Sequence, residues 1–461
     1  MKHPTILALS FAAGAAIILA GTARGQVADA PDSVVAGIPV NNTESHVKPY
    51  TLPDLLTLSN GQSVKDAATW MNERRPEIVH FYETQVYGRV PATAPKVTWE
   101  LVSEDRAALD GAAVMKKLAG HMGGPNGPAI NLTLYTPANA TKPVPVIVGI
   151  QFGAFMAPPP LTANEAAKLD QAYRALLEAQ DPAAKEILAK HPGYHLVTAP
   201  PAAAGGGGAP IARLLAAGIG YATYAKDDVE TDIEGKNDPN VNIARKLGLA
   251  PGQTAPAADE WGAIAAWAWS LSRVEDYLET DKEVDAKRVA ITGGSRLGKT
   301  VLWAGVNDPR IAMVIACSSG EGGAALARRN YGETIAHLVA LSRYPYQFAA
   351  NYQKYAADPS QMPMDTHLLV AAMAPRPLLL HTGANGDNWS DPKGEYLAAI
   401  AASPAYELLG KKGLARTADQ PMATSEFVGG DLAFYLNNGG HASLNWDVAI
   451  KFMQDHLLPQ N

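Results

Sequence analysis

The chain has one cysteine, Cys317, in 461 residues. No internal disulfide is possible, so the fold rests on packing and not on covalent staples. Charge is sparse too: Asp, Glu, Lys and Arg make up 18% of the chain, and the formal net charge is −7. A mildly acidic chain is a poor candidate for binding nucleic acid. Long apolar runs are missing, apart from one between Ile6 and Ala20. That run follows Lys2 and His3 and precedes small residues at Ala23-Arg24-Gly25 and Ala28-Asp29-Ala30. It is short for a membrane span and has the layout of a secretory leader. Residues 1–25 are therefore expected to be removed as a signal peptide, leaving no membrane span. Their loss deletes Lys2 and Arg24 and no acid, which takes the formal charge from −7 to −9. An exported chain without disulfides fits a bacterial periplasm or the cell exterior.

What is present is globular: 47% of the residues are hydrophobic. After a polar, Pro-punctuated lead-in over 26–60, a helix is expected from Val64 to Val86. Strands are expected around Val97–Val102, Ile130–Tyr135, Pro145–Ile150, Ile219–Tyr224, Arg288–Thr292, Ala312–Ala316 and Pro377–Thr382. A helix rich in Trp and Ala is expected from Ala257 to Thr280. This alternation implies an α/β fold with a mostly parallel sheet covered on both faces. Residues 156–210 break it. A Pro-rich start, an Ala- and charge-rich helical stretch and a Gly205–Gly208 linker read as an inserted cap in a single domain spanning 26–461. No internal repeat is present.

The stretch Gly293-Gly294-Ser295-Arg296-Leu297-Gly298-Lys299-Thr300 fits two patterns. As G-x-x-x-x-G-K-[ST] it is a phosphate-binding loop. As a serine on a tight turn between strand and helix it is a nucleophile elbow. Export weighs against a nucleotide enzyme. So does the next apolar strand, which ends in Cys317-Ser318-Ser319-Gly320 with no Asp for Mg²⁺. The elbow reading needs a base and an acid in the order Ser, acid, His. His441, in Asn-Asn-Gly-Gly-His-Ala on a late loop, fits that order. His337 and His367 fall in helix-like stretches, and His381 falls inside an apolar strand. The acid should follow the strand ending at Thr382-Gly383. Asp387 is nearest, with Asp391 next. Ser295 can also be read as a helix N-cap. One feature is unusual: the glycine of G-x-S-x-G is displaced by one place, to Gly298.

With these residues in view, the sequence resembles a known family. Gly-Gly-Ser295-Arg296-Leu297-Gly298-Lys299 resembles the G-C-S-R-x-G-K signature of glucuronoyl esterases, carbohydrate esterase family 15, and the displaced glycine belongs to that signature. Ser319-Gly320-x-Gly322-Gly323, Arg328-Arg329-x-x-Gly332-Glu333 and Ala374-Pro375-Arg376-Pro377 resemble later blocks of the family, and Asp387-x-Trp389-x-Asp391-Pro392 resembles the block of its bacterial members. The resemblance runs in order over roughly residues 260–450. It implies an α/β-hydrolase three-layer sandwich, and a serine esterase with no metal or cofactor. The implied substrate is a (4-O-methyl-)glucuronic acid ester, as in lignin–glucuronoxylan linkages. By position it implies Ser295 as nucleophile, His441 as base and Arg296 as oxyanion donor, with Lys299, Glu333 and Trp389 touching the sugar. Many members carry a catalytic Glu where this chain has Ser318, so the acid role moves to Asp387, and Asp391 and Glu321 stay open. Tyr344-Pro345-Tyr346-Gln347-Phe348 lacks the family's aromatic-His-Trp pattern. Two rival readings are an esterase for another acyl group, such as acetyl, and a sugar-binding protein on a degenerate hydrolase scaffold.

Overall fold

The computed structural model describes residues 27–153, 163–180, 185, 189, 209–232 and 243–458. The expected leader lies outside the described residues, as does most of 156–210, where Ala163–Gln180 is a helix.

Ser33–Val35 (β1) and Ile38–Val40 (β2) form a small hairpin. The other strands are β3 (Val97–Ala108), β4 (Ala113–Met122), β5 (Ala129–Pro137), β6 (Val144–Gln151), β7 (Gly220–Ala225), β8 (Val284–Gly294), β9 (Met313–Cys317), β10 (Leu378–Gly383), β11 (Phe427–Gly429) and β12 (Leu432–Asn437). They make one ten-stranded sheet in the order β11-β12-β10-β9-β8-β6-β7-β5-β4-β3. The run from β12 to β7 is parallel, and β11, β5, β4 and β3 extend it antiparallel.

Side-chain alternation sorts the central strands between two cores, because successive residues of a strand face opposite ways. Val289 and Ile291 of β8, Val314 and Ala316 of β9, and Leu378 and Leu380 of β10 join the larger cluster. That cluster includes the helices Ala263–Leu278, Arg296–Asn307 and Pro392–Leu408. The residues between them (Ala290, Met313, Ile315 and Leu379) join a second cluster with the helices Ile211–Ala216 and Trp446–Leu457. Strands buried on both faces read as near-continuous apolar runs, as these do.

The chain turns from β6 out to β7, then crosses back to β8 on the other side of β6. Such a reversal opens a crevice at the carboxyl ends of the strands. Ser295 immediately follows β8 and sits at that crevice. The Trp-rich helix runs over Ala263–Leu278, shorter than 257–280. The helix expected over 64–86 begins at Ala67 and contains two π segments, Trp70–Arg74 and Tyr82–Val86, on either side of Arg75–Phe81. Pro76, which has no N–H, sits at the start of that middle piece, where the hydrogen-bond ladder changes spacing.

Candidate active site

Ser295 connects β8 to the helix Arg296–Asn307 with φ of +59°. A β-carbon rarely takes that conformation, and holding a serine there stores backbone strain. The Ser295 N–H is anchored on the Cys317 carbonyl at 2.9 Å. The displaced glycine has a packing reason. A β-carbon on Gly298 would meet the Cys317 carbonyl oxygen at 2.5 Å, so only glycine lets the helix lie this close to the end of β9. Gly294 is equally constrained: a β-carbon there would meet Cβ of Ala442 at 2.7 Å. The loop carrying His441 therefore rests directly on the residue before the serine.

His441 Nδ1 lies 2.7 Å from Asp387 Oδ1. Asp387 follows β10 and is 1% exposed, whereas the His441 side chain is 44% exposed. The Ser390 hydroxyl donates to Asp387 Oδ1 at 2.7 Å, and the Ser318 hydroxyl donates to Oδ2 at 2.6 Å. Ser318 in turn accepts the Ala442 N–H at 3.0 Å, tying the acid to the histidine loop. Burial acts to raise the Asp387 carboxyl, but the His441 and hydroxyl hydrogen bonds outweigh it and hold the group below its ordinary range. An ionised carboxylate only accepts, so in the neutral ring Nδ1 carries the hydrogen and Nε2 is left as the proton acceptor.

The other two candidate acids lie elsewhere. Asp391 pairs with Arg329 at 2.8 Å and accepts the Gly394 N–H at 2.9 Å as the cap of the next helix. Glu321 accepts from the Tyr352 hydroxyl at 3.0 Å and the Gly322 N–H at 3.1 Å, and burial pushes it up to about 8. The three histidines weighed against His441 have local duties. His381, inside β10, accepts the Asn445 N–H, and burial lowers it to about 4. His337 helps cap the helix Ile335–Val339, and His367 meets the Pro53 carbonyl.

Ser295, His441, Arg296, Lys299, Glu333 and Trp389 line one cavity of about 170 Å³, together with Ser318, Arg343 and Tyr344. Arg296 is the first residue of its helix, so its N–H has no carbonyl within the helix to bond. Its Nη1 donates to Asp232 Oδ2 at 2.7 Å, and its guanidinium lies 4.3 Å from the Tyr344 ring centre. Lys299 is buried, which lowers its pKa against the opposing pull of Glu333, 3.6 Å away. Arg343 Nη2 donates to the other Glu333 oxygen at 3.1 Å, and its guanidinium lies 5.0 Å from the Trp389 ring centre. Glu333 is thus held between two cations, and Arg343 occupies part of the Trp389 surface.

Reading the sequence singles out Ser295, His441, Asp387 and the four other cavity residues, and the fold brings all seven together. It misses Asp232, Arg343 and the hydroxyls of Ser318 and Ser390. The departures at Ser318 and at Tyr344–Phe348 are signals for part of this set, since Ser318 is itself the first and Arg343 stands at the edge of the second. Asp232 has no motif around it. Among the described residues, no cluster of His, Cys, Asp and Glu could hold a metal ion, and no helix is long and apolar enough to cross a membrane.

A family model described as "Glucuronyl esterase, fungi" matches residues 252–410. The chain is 36% identical over 422 residues to carbohydrate esterase MZ0003 from an unknown prokaryotic organism, covering 90% of this chain and 92% of that protein. Among solved structures, a glucuronoyl esterase from Solibacter usitatus is 39% identical with a TM-score of 0.73, covering 90% of this chain and all (100%) of that one. A promiscuous CE15 esterase from a marine bacterial metagenome is 32% identical with a TM-score of 0.72, again covering 90% and 100%. A mostly parallel sheet with a strained serine after β8, and likeness to these enzymes over 90% of the chain, place the chain among the glucuronoyl esterases of carbohydrate esterase family 15, carboxylic ester hydrolases of the α/β-hydrolase fold.

Proposed function

We propose that this protein is an exported serine esterase that cleaves esters of (4-O-methyl-)glucuronic acid, such as those joining glucuronoxylan to lignin alcohols. It uses Ser295, His441 and Asp387. The observation that carries the reading is the 2.7 Å contact between His441 Nδ1 and Asp387, with His441 lining the same cavity as Ser295.

In this reading His441 Nε2 takes the Ser295 proton as Oγ attacks the ester carbonyl. Asp387 holds the ring in the required tautomer and stabilises the imidazolium. The Arg296 N–H and guanidinium receive the oxyanion, and loss of one such donor typically costs about 3 kcal/mol of transition-state stabilisation. His441 returns its proton to the departing alcohol. Water, activated by the same nitrogen, then releases the uronic acid. Lys299, Glu333 and Trp389 orient the sugar. The charged pair Lys299–Glu333 suits hydroxyl and ether oxygens, and an indole suits a pyranose face. Removal of residues 1–25 as a leader, one domain over 26–461 and a cap formed by 156–210 complete the proposal.

The test compares turnover of methyl 4-O-methylglucuronate with release of acetate from an acetylated xylose. Faster uronate cleavage, abolished by Ser295→Ala, is expected. Faster acetate release would reassign the acyl group, and binding of glucuronoxylan without any cleavage would leave a sugar-binding protein.

A further inference from the structure

We propose that Asp232 is the positioning residue for Arg296, and that Tyr346 and Gln347 hold Asp232 in place for that task. The inference rests on the oxyanion role given to Arg296 above.

Arg296 has a long, flexible side chain, and an oxyanion donor contributes most when its direction is fixed before the reaction. Two contacts fix it. In the plane of the guanidinium, Nη1 donates to Asp232 Oδ2 at 2.7 Å. The guanidinium carbon also lies over the Tyr344 ring, 4.3 Å from its centre. A guanidinium cannot lose its proton in a protein, so its remaining N–H groups stay donors.

Asp232 is itself over-determined. Its side chain is 5% exposed. Its other oxygen, Oδ1, accepts from the Tyr346 hydroxyl at 2.5 Å and from Gln347 Nε2 at 2.8 Å, and Lys226 Nζ lies 3.6 Å from Oδ2. A buried carboxylate with one oxygen on Arg296 and the other on two neutral donors has one stable orientation. Tyr344, Tyr346 and Gln347 belong to a segment whose sequence departs from the family pattern. Their contacts give that departure a use: the segment supplies the ring under the guanidinium and both neutral donors to its partner. Burial acts to raise the Asp232 carboxyl, and the Arg296 charge with the Tyr346 hydrogen bond more than offsets it, so the group stays ionised.

A structural ion pair has the same distances, so the test must separate positioning from folding. The decisive experiment is a double-mutant cycle on a glucuronate ester with Asp232→Asn, Arg296→Met and the double variant. Asp232→Asn is expected to lower kcat by about 10- to 100-fold, with KM changed less than about twofold, because the oriented donor acts on the transition state. In the Arg296→Met background the same change should cost less than about twofold. Tyr346→Phe, a milder probe that keeps the carboxylate, should show the same pattern with a smaller loss. Additive losses in the cycle, or a loss confined to KM, would overturn the positioning role. If Arg296→Met alone leaves kcat intact, the oxyanion assignment fails first and the proposal falls with it. An intact Arg296 effect with a fully additive Asp232 effect overturns the proposal alone.

Discussion

Asp387 and Glu321 are both buried carboxylates close to the catalytic loops, and they are held in opposite ways. Asp387 meets a histidine and three hydroxyls, that of Thr382 the most distant at 3.5 Å, and the histidine and the two nearer hydroxyls keep it below its usual range despite burial. Among the described residues, Glu321 has only a tyrosine hydroxyl and its neighbour's N–H, and burial with the nearby Asp365 charge pushes it up to about 8. Glu395 behaves like Glu321. It accepts the Ser319 hydroxyl and the Gly320 N–H at 2.7 Å each, yet burial still raises it to about 8. Desolvation alone makes a carboxyl neutral, and a neutral carboxyl cannot stabilise an imidazolium. What separates a supporting acid from a structural one here is the partner, not the depth.

Breaking the Asp387 side of the comparison should have the largest effect. Asp387→Asn is expected to lower kcat on a glucuronate ester by about a thousandfold or more, because the amide favours the wrong histidine tautomer. Glu321→Gln should change it by less than about threefold, since burial keeps the glutamate protonated below about 8 and its hydrogen bonds go to Tyr352 and Gly322, not to His441. Comparable losses in both variants would erase the distinction.

A smaller effect would sharpen it. Ser318 Oγ already sits 2.6 Å from Asp387 Oδ2, so a longer acid at 318 reaches the same space. Ser318→Glu introduced into Asp387→Asn should recover roughly tenfold in kcat, as a carboxylate regains Nδ1. No recovery would mean that the end of β9 cannot serve His441 in this chain.

The smallest effect is on stability against pH. Glu321 and Glu395 have folded values of about 8, above the ordinary 4.5. The native state therefore binds more protons between those values, and the stability these groups lend is complete below 4.5 and is lost as pH rises through 8. Asp387 has the opposite sign: its contribution is present above 3.8 and is lost as pH falls. Melting temperatures from pH 5 to 9 should decline less steeply in Glu321→Gln and Glu395→Gln than in the parent. Parallel curves would show that neither group is perturbed.

The parallel strands were legible because a strand covered on both faces is an unbroken apolar run, as in Val146–Ile150 and Leu378–Leu380. The strand β4 was not, since its adjacent Lys116 and Lys117 interrupt the alternation. The strand β12 and the helix Trp446–Leu457 carry apolar patterns, Leu432–Leu436 among them, that stand out less than the glycine-rich loop at His441 between them. Within the site, Ser295, Asp387 and His441 were legible from chain order and strand ends. Asp232 was not. It acts across 64 residues through a contact that no local pattern encodes, and it precedes a stretch with no periodicity. Tyr346 and Gln347 showed only as a mismatch, because a hydrogen bond to a distant carboxylate leaves no spacing in the sequence.

Central to the proposed mechanism is the activation of Ser295 by Asp387 through His441. Labelling with an alkyl fluorophosphonate, followed by mass mapping, reads that activation without any assumption about the sugar. The parent chain should be labelled at Ser295, and Asp387→Asn should be labelled at least about a hundredfold more slowly. A label on another residue, or equal rates in the two proteins, would contradict it.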